Sequence, residues 1–229
     1  MDDPALPVYW GKNQAGMTAK EELSLEAIEE CKDDILMLRD MAVAVAKRLH
    51  KRGLHKQTVN RYVEPWMWTK GVVTATCEAW RGLLDLRNHP DAQPEFKALA
   101  VEIERNIRNS NPTQLEWGEY HMPYVNKTVD MSVVNQVKLS TSCNAQVSYR
   151  VLDETLDKAI KIYDMLNLPV AAIYGEDPPH FSPTEHVALC YDGLWVGDSG
   201  NFHSDDWWQY RKALETGQED LFIKLGEGK

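Results

Sequence analysis

Apolar residues recur at helical spacing through the first half of the chain. Ile28, Ile35, Leu36, Leu38, Met41, Ala42, Val45 and Leu49 form the longest such run. Ahead of it, Thr18-Ala19-Lys20-Glu21 has the form of a capping box, with Thr18 as N-cap and Glu21 reaching back. Gly53 marks the expected end of this helix. Residues 54–64 predict a second helix, stopped by Pro65. Residues 66–86 predict a third, weak at the β-branched cluster Val72-Val73-Thr74. Pro94, at a first-turn position, starts a fourth through Leu99, Val101, Ile103 and Ile107. Residues 109–128 read as a loop rich in Pro, Trp and Tyr.

The pattern then changes. Met131-Ser132-Val133-Val134-Asn135-Gln136-Val137 predicts a strand. Residues 153–166 predict a helix with Leu156, Ile160, Tyr163 and Leu166 on one stripe. Glu176-Asp177-Pro178-Pro179-His180 reads as a loop, and residues 187–191 as a buried strand. Residues 207–212 fall in a short helix. There are no repeats and no low-complexity linker. The expected fold class is α/β (α+β): one domain over residues 1–229, a mainly helical half (1–128) supplying a bundle and a strand-bearing half (129–229) supplying a central sheet.

Composition narrows the chemistry. With 229 residues and 43% apolar content, the chain can bury a real core. A formal net charge of -10 disfavours nucleic acid as the main partner, since that surface wants a basic patch. It leaves room for a small anion held by local arginines. Cys31, Cys77, Cys143 and Cys190 form no CxxC pair, which argues against zinc and against a disulfide framework and fits a reducing cytoplasm. Met1-Asp2-Asp3-Pro4 has no apolar signal core, and no apolar run approaches the ~20 residues of a membrane span. The expectation is therefore a cytoplasmic protein without a membrane partner. Eight tryptophans suit core packing and also stacking on flat rings.

Polar clusters sit where the chain is expected to turn. Arg87-Asn88-His89-Pro90-Asp91-Ala92-Gln93-Pro94-Glu95 places Arg, His, Asp, Gln and Glu at every second position, punctuated by two prolines. His55-Lys56-Gln57 precedes Asn60-Arg61, with Gln57 and Arg61 four apart on one helix face. In His180-Phe181-Ser182-Pro183-Thr184-Glu185-His186, Ser182 can cap a helix begun by Pro183, with Glu185 at the capping-box position. Its two histidines share no helix face, so a metal pair is not expected. Ser199-Gly200-Asn201-Phe202 is followed by Gln209-Tyr210-Arg211-Lys212. Each cluster alone also reads as a solvated helix end. Together they put Arg61, Arg87 and Arg211 in polar motifs, which fits an anionic small molecule recognised by planar donor forks. GxGxxG, P-loop, HExxH and GxSxG motifs are absent. No cysteine follows a proline, so the Pro-Cys nucleophile of thiolate-dependent uracil methylation is missing.

These blocks resemble the flavin-dependent thymidylate synthases, in particular a phage-type branch of that family. The matching text is Trp10-Gly11-Lys12-Asn13-Gln14-Ala15-Gly16-Met17, His55-Lys56-Gln57 with Asn60-Arg61 and Glu64-Pro65, Val73-Thr74-Ala75-Thr76, and the Leu86 to Glu95 turn. It continues in Gly118-Glu119-Tyr120-His121-Met122-Pro123-Tyr124, the His180 to His186 block, and the Ser199 to Lys212 segment. In cellular enzymes of the family, the His-x-Ser/Thr-Pro-x-Glu-His block comes early and the Leu-Arg…Ala-Gln block late. Here the order is reversed, so the chain resembles a cyclic rearrangement of the family fold. Gln146-Val147-Ser148-Tyr149, similar to a block near the start of cellular enzymes, agrees with this.

The resemblance implies methylation of dUMP to dTMP, with methylenetetrahydrofolate as one-carbon donor and NADPH reducing a bound FAD. It implies a homotetramer with active sites built from several subunits, working in the cytoplasm, that of the host if the chain is phage-encoded. Carried over by motif, Arg61 and Arg211 hold the nucleotide phosphate, and Arg87 is the catalytic residue facing the pyrimidine carbonyl edge. Gln209 stands where the family often has a phosphate-contacting Ser. His180, Ser182 and Glu185 line the FAD site with Asn201 and Thr76 nearby, and Gln93 supports the Arg87 turn. No metal is implied.

The chain departs from the family in one region. Trp195-Val196-Gly197-Asp198 stands where the family has Arg-His-Arg, Phe202 replaces a Glu, and His203-Ser204-Asp205-Asp206-Trp207-Trp208 is an acidic insert. Two alternatives follow: alkylation of another pyrimidine nucleotide such as dCMP, or hydroxymethylation, and a nucleotide-binding homologue without catalysis.

Overall fold

Ser24 starts the longest helix. Its hydroxyl accepts the Ala27 amide, and α1 runs over Leu25–Lys51. The start is later than the capping box at Thr18 to Glu21 predicts. Residues 19–24 are not helical, because Gly11 and Glu22 pair there as an antiparallel bridge. The computed structural model describes residues 3–16, 19–126, 130–148, 151–167, 182–191 and 207–227, so Thr18 and the 176–180 loop lie outside the described residues. Gly53, with φ of 89°, closes α1 as expected.

The chain divides into two compact units: Met1–Thr69 with Arg81–Ser110, and Lys70–Trp80 with Asn111–Lys229. The strand-bearing unit therefore takes in residues 70–80 and 111–128 from the half read as helical.

In the first unit, the predicted second helix is reduced to α2, Lys56–Asn60, and a 3₁₀ turn over Glu64–Trp66. Pro65 opens that turn, where its missing amide hydrogen costs nothing, and does not stop a helix. Ala46 of α1 packs with Val59 and Val63, against Ala42, Val43 and Leu49. The predicted third helix also shortens. Residues 67–76 are irregular, and α3 covers Cys77–Arg87. The β-branched cluster together with Gly71 breaks the helix, and Thr76 restarts it by accepting the Ala79 amide at 3.2 Å. Helix α4, Pro94–Asn109, begins at Pro94 as expected.

In the second unit, three short antiparallel strands form a sheet in the order β1 (Tyr120–His121), β2 (Ala188–Cys190), β3 (Trp207–Gln209). Tyr120 stands opposite Leu189, and Leu189 opposite Trp208. The segment read as a strand at 131–137 is helical. Ser132 caps α5, Val133–Ala145, with its hydroxyl toward the Asn135 amide at 3.4 Å. Burial along the helix, Val137 and Leu139 to Asn144, overrides the β-propensity of its valines. Helix α6, Leu156–Asn167, packs on α5. The short C-terminal helix read at 207–212 is β3 followed by α7, Tyr210–Glu215. A further helix, α8 (Glu219–Glu227), was not anticipated.

The core of this unit gathers Val137, Tyr163, Val187, Leu189, Trp208, Tyr210, Ala213 and Phe222. Phe222 is fully buried, with the rings of Tyr120, Trp208 and Tyr210 at 5.4, 5.4 and 5.0 Å. Trp208 is a core residue, whereas Trp207 lies on the other face of the strand. Gly226 lets α8 lie against Tyr120, since a Cβ there would meet the tyrosine ring. Burial pushes the Tyr120 hydroxyl up to about 12. Among the described residues, no helix is long and apolar enough to cross a membrane.

Candidate functional site

One cavity in the strand-bearing unit draws its walls from segments far apart in sequence. Thr74, Ala75, Thr76 and Cys77 form one wall, where the chain enters α3. Gln114 and His121 come from the segment ending in β1, Glu185 from a 3₁₀ turn over Ser182–His186, and Ala188 from β2. Trp207 and Gln209 come from β3, separated by the two-residue period that puts them on one face. The volume is about 250 Å³. The His121 and Trp207 rings meet edge to face, with centroids 6.2 Å apart and planes at 84°.

Hydrogen bonds hold the walls. The Thr74 hydroxyl and His186 Nδ1 lie 3.1 Å apart, tying the 3₁₀ turn to the segment before α3. Burial holds the His186 imidazole below its ordinary range, against the opposing pull of Glu185. The Gln209 amide nitrogen donates to the Glu185 carbonyl at 3.2 Å. Gln209 Oε1 is buried, and among the described residues nothing donates to it.

Beside this wall lies a compact ion cluster. Arg211 Nη1 pairs with Glu185, and Arg211 Nε donates to Glu215 Oε1 at 2.7 Å. Lys212 reaches the other Glu215 oxygen at 2.7 Å. The hydrogen bond from Lys212 above all, against the opposing effect of burial and helped by Arg211, holds the Glu215 carboxyl below its ordinary range. The expected capping box is not formed this way: the Glu185 side chain is turned to Arg211. Among the described residues, the cluster sets two cations against two carboxylates.

The structure thus brings Thr76, Glu185, Gln209 and Arg211 together, with Ser182 three residues from Glu185 on the same turn. Arg61, Arg87 and Gln93 belong to the other unit. Arg61 is exposed at the C-cap of α2. Arg87 ends α3 with its guanidinium 5.3 Å from the centre of the Phe96 ring. Gln93 precedes α4, and its amide nitrogen donates to Glu95 at 3.2 Å. The Arg87 turn is braced by Asn88, whose amide nitrogen donates to Glu104 at 2.7 Å, and by His89, whose Nδ1 accepts the Asp91 amide at 3.2 Å and whose carbonyl accepts the Ala92 amide at 3.1 Å. His180 and Asn201 lie outside the described residues.

Sequence reasoning assigned no role to Thr74, Gln114, His121, Trp207 or Glu215. Thr74 and His121 lie inside blocks that carry the resemblance, and Glu215 is four residues beyond Arg211, a helical pairing distance. Gln114 has no sequence signal of its own. A wall of hydroxyls, amides and aromatic edges without excess charge suits a flat heteroaromatic ring. No protein-family model, no curated protein and no solved structure matches the chain.

Proposed function

We propose that this chain is a flavin-dependent thymidylate synthase-like enzyme, which methylates dUMP to dTMP using methylenetetrahydrofolate and NADPH. The observation that carries the reading is convergence. Four blocks of the resemblance, at Thr74 to Thr76, His121, Glu185 and Gln209, supply walls of one cavity, although they span more than half of the sequence.

The cavity fits part of FAD. At about 250 Å³ it falls just under the ~300–1,000 Å³ of typical ligand pockets, so it suits one flat ring system and not a whole dinucleotide. Thr76 and Glu185 would hold the ring system, and the rest of FAD would require other surfaces, His180, Ser182 and Asn201 among them. When bound, FAD supplies the hydride that thiolate-independent methylation needs.

The chain's own residues do the rest. Arg87, as the catalytic residue, would donate to the pyrimidine carbonyls and stabilise the negative charge that builds there as the ring becomes nucleophilic. Arg61 and Arg211, with Gln209 beside the latter, would hold the phosphate and so fix the ring's position. Gln93 would act by keeping the Arg87 turn in shape. The homotetramer implied by the resemblance, with active sites built from several subunits, belongs to the proposal.

A second reading, alkylation of a different pyrimidine nucleotide, draws support from one observation. Arg211 is already matched by two carboxylates, so its anion recognition differs from that of an arginine held open. Incubation with FAD, NADPH, methylenetetrahydrofolate and a panel of pyrimidine nucleotides, read by product mass, separates the readings. The proposal expects dTMP from dUMP. A product from dCMP alone favours the second reading, and binding without any product favours a non-catalytic homologue.

A further inference from the structure

The Arg211 cluster contains a competitor for the ligand that Arg211 is proposed to take. Glu215 lies on the same helix as Arg211 and Lys212 and is bonded to both, at 2.7 Å each. It is locked by two local contacts at helical spacing. Glu185 comes from a separate turn, and its carboxylate is held by Arg211. Its backbone, not its carboxylate, is what Gln209 binds. Arg211, Glu185 and Glu215 keep between 23% and 33% of their side-chain surface exposed, so an anion can approach. Among the described residues the cluster sets two cations against two carboxylates, so an incoming phosphate dianion adds to a negative side already filled and favours departure of one carboxylate. The carboxylate with the fewest anchors departs first.

We infer that Glu185 is a resident counter-ion that a phosphate group must displace from Arg211. This rests on the reading of Arg211 as a phosphate-binding residue. Glu185 also lines the cavity, so its displacement changes that wall. Filling the anion site and reshaping the cavity are then one event, and a ligand in either place alters affinity in the other.

Titration with inorganic phosphate at constant ionic strength, followed by calorimetry, tests this. The proteins are the full chain and its Glu185→Gln, Glu185→Ala and Arg211→Ala variants. Glu185→Gln keeps the shape of the side chain, and Glu185→Ala removes the contact altogether. Both are expected to bind phosphate about two- to fivefold tighter than the parent, the range set by loss of a partly exposed ion pair. Arg211→Ala should bind none. Equal or weaker binding by the Glu185 variants, binding that survives Arg211→Ala, or no phosphate binding by any of the proteins overturns the inference. The titration needs neither FAD nor turnover, so its outcome is separate from that of the proposed function.

Discussion

The hydroxyls of Tyr163 and Tyr210 lie 2.8 Å apart in the core of the strand-bearing unit, joining α6 to the first residue of α7. Both rings are buried, and burial raises both hydroxyls above the ordinary tyrosine range, so the pair stays neutral. Arg211 follows Tyr210 directly. The bond therefore fixes the point from which the ion cluster projects.

Tyr163→Phe should leave the Tyr210 hydroxyl buried without its partner. The expected cost is about 1–3 kcal/mol in urea unfolding. The Phe ring keeps its place beneath Lys138, whose ammonium lies 5.2 Å from the ring centre. Tyr163→Phe combined with Tyr210→Phe removes both polar groups, so its cost should fall below the sum of the two single changes. Additive costs would show that the hydroxyls do not depend on one another.

Thr141 presents the opposite case. It is fully buried on α5, and among the described residues its hydroxyl has no hydrogen-bond partner. Thr141→Val keeps the shape and removes an unsatisfied polar atom. Stability should be unchanged or rise by up to about 1 kcal/mol. A loss of more than that would reveal a partner for this hydroxyl.

His186 gives the fold a dependence on pH. Burial lowers its imidazole below the ordinary 6.5. As pH falls below 6.5, the unfolded chain takes up a proton that the folded chain resists, so stability is present above that value and is lost below it. Unfolding free energies measured on both sides of pH 6.5 should show this slope, and His186→Gln should flatten it while retaining a group that can bond Thr74. An equal slope in the variant would assign the effect elsewhere.

Arg87→Ala should separate fold from chemistry. Its guanidinium contact with the Phe96 ring is worth no more than about 1 kcal/mol at an exposed site. Turnover should drop by about a hundredfold or more, the scale of removing a donor from a developing negative charge. Matched rate and unfolding measurements check this. Unaltered dTMP formation would remove Arg87 from the catalytic role.

What the sequence made legible follows from local signals. Gly53 and Pro94 act through their own backbone preferences, and the structure keeps both boundaries. Helix α5 was misread because its valines favour strands and its later turns bury Ser140, Thr141, Ser142 and Asn144 along with apolar residues. A helix buried on nearly all sides has no amphipathic stripe to read. The third helix is shorter than the pattern over 66–86 predicts: Val72-Val73-Thr74 marks its weak point, and the Thr74 contact with distant His186 that holds this segment outside the helix is not a local signal. At the candidate site, Thr76, Glu185 and Gln209 were legible through motif text. Gln114 and Trp207 were not, because a cavity wall is set by which loops meet, and that information is non-local.

The absorption spectrum of the purified chain, reconstituted with FAD and passed through gel filtration, tests the central claim most directly. A flavin band that stays with the protein, and bleaches when NADPH is added without oxygen, is the predicted result. A colourless protein after reconstitution would contradict the account.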